Sequence, residues 1–361
     1  MELLQTKFDP PVELGDLIER PRLQQRLGEA GKVSLTVVQT PAGYGKTSLL
    51  SQWFHALRKS DDNVCWLSID ASDSGDAIGL MTYIAAAVAT AGVWFEPSVE
   101  RIAAANFFVK PEPLIVAIVN ALEQSHAPLF VFLDDVHLLD SSTLTVLCRL
   151  IDLSPRTVHF VLASRIIPAL HLARLRARGK LLELHVDDLR FTVEETQSLF
   201  AATGDTSLGE PELAMLEERA EGWIAGIKLA RLAVRQGSAP MALLASFAGS
   251  QRSVSDFFSE EVLASQPDEI REFLLKTSVL DRLCPALCNA VTGLDRGRQM
   301  LNAIEESGLF LLRLDDDRNW YRYHHLFSEF LKRRLAEQDS NAEKQLHLRA
   351  SRWSWTNGFH V

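Results

Sequence analysis

Five short apolar runs punctuate the first half of the chain: "VSLTVVQ" (33–39), "VCWLSID" (64–70), "LFVFLDD" (129–135), "VHFVLAS" (158–164) and "LLELHV" (181–186). They are rich in β-branched and aromatic residues and apolar at nearly every position, the pattern of strands buried on both faces rather than one. Between them, 46–59, 76–91, 111–124 and 142–153 carry helical spacing. Apolar strands alternating with helices predict an α/β fold: a parallel five-stranded sheet with helices on both faces.

The strand signal stops after residue 190. "FTVEETQSLFAATG" opens with Thr192 and Glu195 at the spacing of a capping box, in which each side chain satisfies a backbone amide of the helix start. "PELAMLEERA" and "WIAGIKLARLAVRQG", the latter closed by Gly237, complete a small helical domain. The turn-rich segment 237–253 marks a boundary, and helices at 254–265, 267–277, 284–291 and 296–307 follow. Then comes "LFLLRLDDDRNWYRYH", two strand-like runs around an aspartate-rich turn. Helices followed by such a hairpin predict a winged-helix domain. Two further helical patterns, "HLFSEFLKRRLAEQ" and "AEKQLHLRASRWSWTNG", end the chain. The expected division is a nucleotide-binding domain at 1–189, a helical domain at 190–245, a winged-helix domain at 246–336 and the start of a helical arm at 337–361.

The nucleotide in that division comes from "TPAGYGKTSLL" at 40–50, set between a strand and a helix. Backbone amides freed by a glycine turn at a helix N-terminus form an anion site. The usual phosphate-loop signature has a glycine, four residues, then Gly-Lys-Ser/Thr. Gly45, Lys46 and Thr47 match it, and Thr40 replaces the leading glycine. Thr40, Pro41, Ala42, Gly43, Tyr44, Gly45, Lys46, Thr47 and Ser48 are the candidate phosphate-binding residues, with Lys46 supplying charge and Thr47 a magnesium ligand. At the end of the "LFVFLDD" run, Asp134 and Asp135 are delivered to a buried strand end, where carboxylates are costly unless they meet a metal or a donor. Asp134 is the second magnesium residue, and Asp135 is placed to orient an attacking water. Arg165, off the next strand at the same edge of the sheet, is either a sensor of the terminal phosphate or a surface arginine. Together these residues indicate a magnesium nucleoside triphosphate.

Composition adds exclusions. With 47% hydrophobic and 23% charged residues over 361 positions, the chain is ordinary globular material. Its net charge of -10 opposes a nucleic-acid surface over these residues as a whole, leaving the run Arg174, Arg176, Arg178, Lys180 as a local basic patch, either solvated or a contact surface. No apolar run nears the roughly 20 residues of a membrane span, and the N-terminus lacks a secretory pattern, so a cytoplasmic protein without a membrane partner is expected. Four cysteines are too few for a disulfide framework. Cys284 and Cys288, with His324 and His325 downstream, offer a four-ligand zinc set; their spacing equally puts two small buried thiols on one helix face, the stronger reading without a second close pair.

"TPAGYGKTSLLSQW", "ARLRARGKLLEL", "LRFTVEET", "EGWIAGIKLA", "FLLKTSVLDRLCPALCNAVTG" and "WYRYHHLFSEFL" resemble, in order and spacing, the large ATP-binding regulators of the LuxR family, which belong to the STAND class of signal-transduction ATPases. The resemblance runs from residue 15 to the end. It implies a module that closes on ADP as a resting monomer, opens and self-associates with ATP plus a small-molecule inducer, and is reset by slow hydrolysis. Inducer sensing and DNA binding belong, in that family, to C-terminal regions beyond these residues, so the resemblance makes this chain the N-terminal switch of a longer transcription activator. His324 falls where related switches set a winged-helix histidine against the ADP β-phosphate; a His-His pair capping the last helix is the alternative. Ile18 and Arg20, in "LIERPRL", resemble the segment whose backbone meets the base, and Ile224 stands where the family often has a proline near the adenine. Two other classes share the loop and the carboxylates: a small-molecule phosphotransferase and a ring-forming AAA-type mechanical ATPase.

Overall fold

A computed structural model of the chain describes residues 3–11, 17–95, 110–202, 208–235, 252–315, 317, 319–338 and 340–358. By contacts the chain divides into two units, Met1–Thr40 with Gly45–Leu189, and Pro41–Tyr44 with Arg190–Val361.

The first unit is built on five parallel strands, β1 (Leu35–Gln39), β2 (Asn63–Ser68), β3 (Leu129–Asp134), β4 (Val158–Ser164) and β5 (Leu181–Leu184), in the order β2-β3-β4-β1-β5. The five-stranded sheet expected from the apolar runs is present, with trimmed ends: the "VSLTVVQ" strand starts at Leu35, because the amides of Ser34 and Leu35 both turn to the Lys180 carbonyl. Alternate residues face opposite sides. On one side Leu35, Val37, Cys65, Leu67, Val131, Leu133, Phe160 and Leu162 pack into a core with the helices Ala77–Thr90, Glu112–Ser125 and Ser141–Leu153. On the other, Trp53 and Phe54 of the helix Lys46–Lys59 meet the strand aromatics, with Trp53–Phe132 centroids at 5.1 Å and Trp66 stacked on Phe132 at 5.8 Å. A sheet covered on both faces leaves only its edges and strand ends for chemistry. Within the basic run 174–180, Arg176 makes a two-pronged bond to Glu183 and Arg174 lies 3.6 Å from Asp152, both side chains staying exposed.

In the second unit, three helices, Val193–Ala202, Glu210–Ala220 and Ile224–Arg235, come first. The capping box forms: the Thr192 amide donates to Glu195 Oε2 and the Glu195 amide to Thr192 Oγ1, both at 3.2 Å. The Gly237 stop and the 245/246 boundary lie outside the described residues. The expected helix at 254–265 is an α-helical turn, Arg252–Phe257, running into a π-helical one, Phe258–Leu263. Adjacent aromatics diverge by about 100° in a regular helix, yet here Phe257 and Phe258 both reach the Trp223 ring, at 5.2 and 5.0 Å. Helices Asp268–Thr277, Pro285–Thr292 and Gly297–Glu306 lead to the antiparallel pair β6 (Leu311–Arg313) and β7 (Tyr321–Tyr323). The Asp315 carboxylate holds the turn between them by accepting from the amides of Asn319 and Trp320, and Leu283 and Tyr321 exchange backbone bonds alongside β7. This is the expected winged-helix arrangement. Cys284 precedes the helix Pro285–Thr292 and Cys288 sits within it; both are buried, burial raises both thiol pKa values, and among the described residues neither joins a metal-holding group. Helices His325–Gln338 and Ser340–Thr356 complete the unit. Among the described residues no helix is long and apolar enough to cross a membrane.

An aromatic cluster centres the unit. Phe258, fully buried, touches Trp223, Phe310, Phe327 and Phe330 at centroid distances of 5.0, 5.3, 5.2 and 5.5 Å. Phe258→Ala should therefore destabilise the chain by about 3–5 kcal/mol in urea unfolding followed by tryptophan fluorescence. A loss under about 1 kcal/mol would mean that the cluster refills the space and is not the unit's keystone.

Candidate functional site

The ends of β1, β3 and β4 lie side by side, since β4 pairs with both other strands. Each end carries a different chemical group. After β1 the chain makes the loop 40–45; Gly43 and Gly45 take left-handed backbone conformations, φ 76° and 80°, and Gly45 caps the helix Lys46–Lys59. After β3 come Asp134 and Asp135, and after β4 comes Arg165.

In the first unit these side chains interact. Lys46 is buried, and its ammonium donates to the Thr40 carbonyl at 2.7 Å. Burial lowers its pKa to about 8, Arg165 acting in the same direction while Asp135 and Asp134 oppose it. Asp134 is 3% exposed and pushed up to about 6, by burial first and the neighbouring Asp135 second, against a hydrogen bond from the Thr47 side chain and one from the Asp135 amide. Asp135 adopts a left-handed φ of 58° and is raised chiefly by burial, while Arg165 and Lys46 pull it down. Thr40 is fully buried and its amide donates to the Ser164 carbonyl. Lys46, Thr47, Asp134, Asp135 and Arg165 thus form one cluster, and Arg165 belongs to it rather than to a remote surface.

His137 joins the cluster although the sequence did not mark it. Its Nδ1 stands 3.6 Å from Asp135 Oδ1 and lacks a hydrogen-bond partner among the described residues. Burial, with Arg165 and Lys46 adding to it, drives its pKa to about 4, so the ring is neutral at pH 7. The available sequence signal was its position two residues after Asp135, in "DDVH".

The remaining loop residues belong to the second unit. Trp223 Nε1 donates to the Ala42 carbonyl at 3.0 Å, and the Ala225 amide to the Gly43 carbonyl at 3.0 Å. A Cβ on Gly43 would lie 2.6 Å from Trp223 Nε1 and 2.7 Å from the Ala225 methyl, so close approach as well as φ requires glycine there. Tyr44 is buried with its ring 6.2 Å from Phe310 and Pro41 is buried, whereas Ser48, which belongs to the first unit, is half-buried.

His324 is completely buried. Its ring lies 6.0 Å from Trp223, and Nε2 stands 3.0 Å from the Ala220 carbonyl. A carbonyl only accepts, so Nε2 carries the hydrogen, and Nδ1, a bare acceptor, has no partner among the described residues. Burial lowers the pKa to about 4, with Glu221 pulling it back up. His324 also stands at the N-terminal cap of the helix His325–Gln338, its carbonyl accepting from the Ser328 amide at 2.9 Å, so its backbone fits the capping alternative while its ring makes the contacts above. The His325 amide is capped by Glu221 Oε1 at 3.0 Å, and Glu221 is held by a two-pronged bond from Arg322. Neither Trp223 nor the Glu221–Arg322 pair stood out in the sequence.

The two proposed base-contacting residues are buried in the first unit. Gln52 Nε2 donates to the Ile18 carbonyl at 3.1 Å, and Arg20 donates to the Leu189 carbonyl at 2.8 Å.

Comparison with known proteins agrees with this layout. Residues 19–163 match the AAA ATPase domain family and residues 259–343 the MalT winged helix domain family. The serine/threonine-protein kinase PknK of Mycobacterium tuberculosis is 32% identical over 98% of this chain and 32% of its own length. The HTH-type transcriptional regulator MalT of Yersinia pestis is 32% identical over 96% of this chain and 38% of its own. The chain therefore spans about a third of the length of these curated relatives. Among solved structures, the Walker-type ATPase PABY2304 of Pyrococcus abyssi superposes with a TM-score of 0.62 at 13% identity, covering 88% of this chain and 96% of that one, a likeness of fold.

The donor set fits a magnesium nucleotide on chemical grounds: two left-handed glycines free the loop amides, the buried Lys46 ammonium stands at the start of the loop on the Thr40 carbonyl, and a buried carboxylate shares a bond with the first hydroxyl of the helix. A pH dependence follows. Asp134 titrates at about 6 in the folded chain against 3.8 ordinarily, so the metal-free fold takes up a proton as pH falls through about 6, and a cation competes with that proton. Magnesium-nucleotide affinity should fall roughly tenfold per pH unit below about 6, and Asp134→Asn should flatten that limb. Calorimetric titrations on either side of pH 6 test this. A wild-type profile as flat as the variant's would move the metal carboxylate elsewhere.

Proposed function

We propose that this MalT-like chain, a AAA-type ATPase domain ahead of a MalT-type winged helix domain, is the ATP/ADP-controlled switch of a transcription regulator. The observation that carries the reading is Trp223: one side chain bonds the Ala42 carbonyl of the phosphate loop and packs against the ring of His324. The loop residues Pro41–Tyr44 and the winged helix thereby pack within one unit, as a switch requires and a simple phosphotransferase does not.

Lys46 and the loop amides would hold the β- and γ-phosphates, and Thr47 and Asp134 would hold magnesium. Magnesium, when bound, withdraws charge from the terminal phosphoryl group. Asp135 orients the attacking water and accepts its proton. His137 lies neutral beside Asp135, and Arg165 neutralises charge gathering on the phosphoryl oxygens. Burial holds Lys46, Asp134 and His137 toward their neutral forms, and turnover is expected to be slow. In this reading ADP keeps the module closed and monomeric, and ATP with a small-molecule inducer opens it to self-associate. The inducer and DNA are recognised by parts of the regulator beyond these residues.

His324 is the proposed latch on ADP. Its Nε2–H is committed to Ala220, so only Nδ1 is left for a phosphate, and Nδ1 must first gain a proton. ADP binding near pH 7 should therefore take up about one proton, read from calorimetry in buffers of different ionisation enthalpy. His324→Ala should abolish the uptake and speed ADP release by about one to two orders of magnitude, the equivalent of a charge-assisted bond of roughly 1.5–3 kcal/mol. Stopped-flow release of a fluorescent ADP analogue that gives equal rates, with no proton uptake in the wild type, would leave His324 a core residue.

Trp223→Phe separates the bridge from the packing, because it keeps an aromatic ring and deletes only the donor to Ala42. It should weaken ADP binding by about 2- to 12-fold, the loss of one hydrogen bond of roughly 0.5–1.5 kcal/mol. Unchanged affinity at an unchanged midpoint of unfolding would show that the indole N–H does not shape the loop.

A further inference from the structure

The helix Ser141–Leu153 presents Cys148 and Asp152, four residues apart, on one face. His171, from the segment after β4, comes to the same place: Cys148 Sγ is 3.3 Å from His171 Nδ1, and the ligand atoms of Cys148, Asp152 and His171 all lie within 4.8 Å of one another. Cys148 is buried, while Asp152 and His171 are exposed. In a tetrahedral zinc centre with bonds of about 2.0–2.3 Å, neighbouring ligand atoms stand roughly 3.3–3.7 Å apart. The thiol–imidazole pair already has that separation, and rotation of an exposed carboxylate closes the remaining gap.

We propose that Cys148, Asp152 and His171 form a binding site for a borderline divalent cation of the zinc type, with three protein ligands and a fourth position open to water. The donors decide the class. Thiolate and imidazole suit zinc, whereas magnesium selects oxygen ligands in an octahedron, so the site is chemically distinct from the one beside the phosphate loop. Binding converts the Cys148 thiol to thiolate and releases its proton to solvent. Burial and Asp152 hold that proton on, Arg174 opposes them, and affinity rises with pH accordingly. Arg174, 3.6 Å from Asp152, is the built-in competitor and must give up the carboxylate when the cation arrives. The bound cation would fasten the helix that follows the β3 carboxylates to the segment that begins just after Arg165.

The test uses the whole chain, stripped with chelator and titrated with cobalt(II) as the probe. One equivalent should bind with a thiolate-to-metal charge-transfer band in the near ultraviolet, and zinc should displace it. The nucleotide site cannot give this signal, because it contains no thiol. Cys148→Ser should abolish the band, and Cys284→Ser with Cys288→Ser should keep it. His171→Ala, a surface change that spares the core, should weaken binding at least about tenfold, and Arg174→Ala should tighten it several-fold. A wild-type chain without the band, a band that survives Cys148→Ser, or affinity indifferent to His171→Ala overturns the site.

Discussion

The indole N–H of Trp223 on the carbonyl of Ala42 is the contact around which the second unit makes sense. A phosphate loop must leave its amides pointing outward, so its carbonyls need partners on the opposite side. Trp223 and the Ala225 amide supply them, and they come so near that only glycine fits at 43. The same indole ring stacks on Phe258, meets Phe310 edge-on at 5.5 Å and borders His324. Moving the tryptophan to repack the aromatic cluster would release the loop carbonyl, and the reverse also holds. Coupling through a shared, closely packed side chain has discrete alternatives rather than a continuum, because packed interiors do not deform smoothly.

Electrostatics in the first unit follows a related constraint. Lys46, Asp134 and His137 are all displaced toward their neutral forms, and in each case burial is the leading cause. Like charge adds to the effect: Asp135 on Asp134, Arg165 on Lys46, Arg165 and Lys46 on His137. Such a cluster is poorly satisfied by itself, and Lys46 turns to the Thr40 carbonyl. An anion with an attendant divalent cation supplies both missing signs at once.

Much of this was legible in the chain. Five apolar runs gave five strands because burial on both faces leaves few other patterns open, and Thr192 with Glu195 formed the box that their spacing implied. Gly45, Lys46, Thr47 and Asp134 were legible because strand-to-loop-to-helix order fixes where they stand. What escaped was tertiary. Pro41–Tyr44 pack with residues about 180 positions later, a partnership set by Trp223 and Ala225 that no local period records. His137 was hidden because nothing in "DDVH" tells whether the ring turns toward the carboxylate. Cys148 and His171 are 23 residues apart on separate elements, and no local period relates them. Of the basic run at 174–180, two arginines face acidic partners within the unit while their side chains stay exposed, which agrees with the solvated reading.

His324 shows why identity alone does not assign a role. A histidine in a winged helix could cap, ligate or sense, and the sequence left those roles open. The choice narrows once one nitrogen is seen to be spent: Nε2 holds Ala220, the Glu221 side chain rather than a histidine ring bonds the His325 amide, and Nδ1 remains a buried acceptor without a hydrogen-bond partner among the described residues. A buried acceptor without a partner costs on the order of 1–3 kcal/mol, which a core histidine kept only for packing would shed by becoming a phenylalanine. Protonation would turn that acceptor into a donor, and only a nearby negative charge makes protonation favourable against complete burial. In the proposed latch role, the residue would discriminate between states by charge as well as by shape. That is the property a nucleotide latch needs, because a contact equally good in both conformations would bias neither.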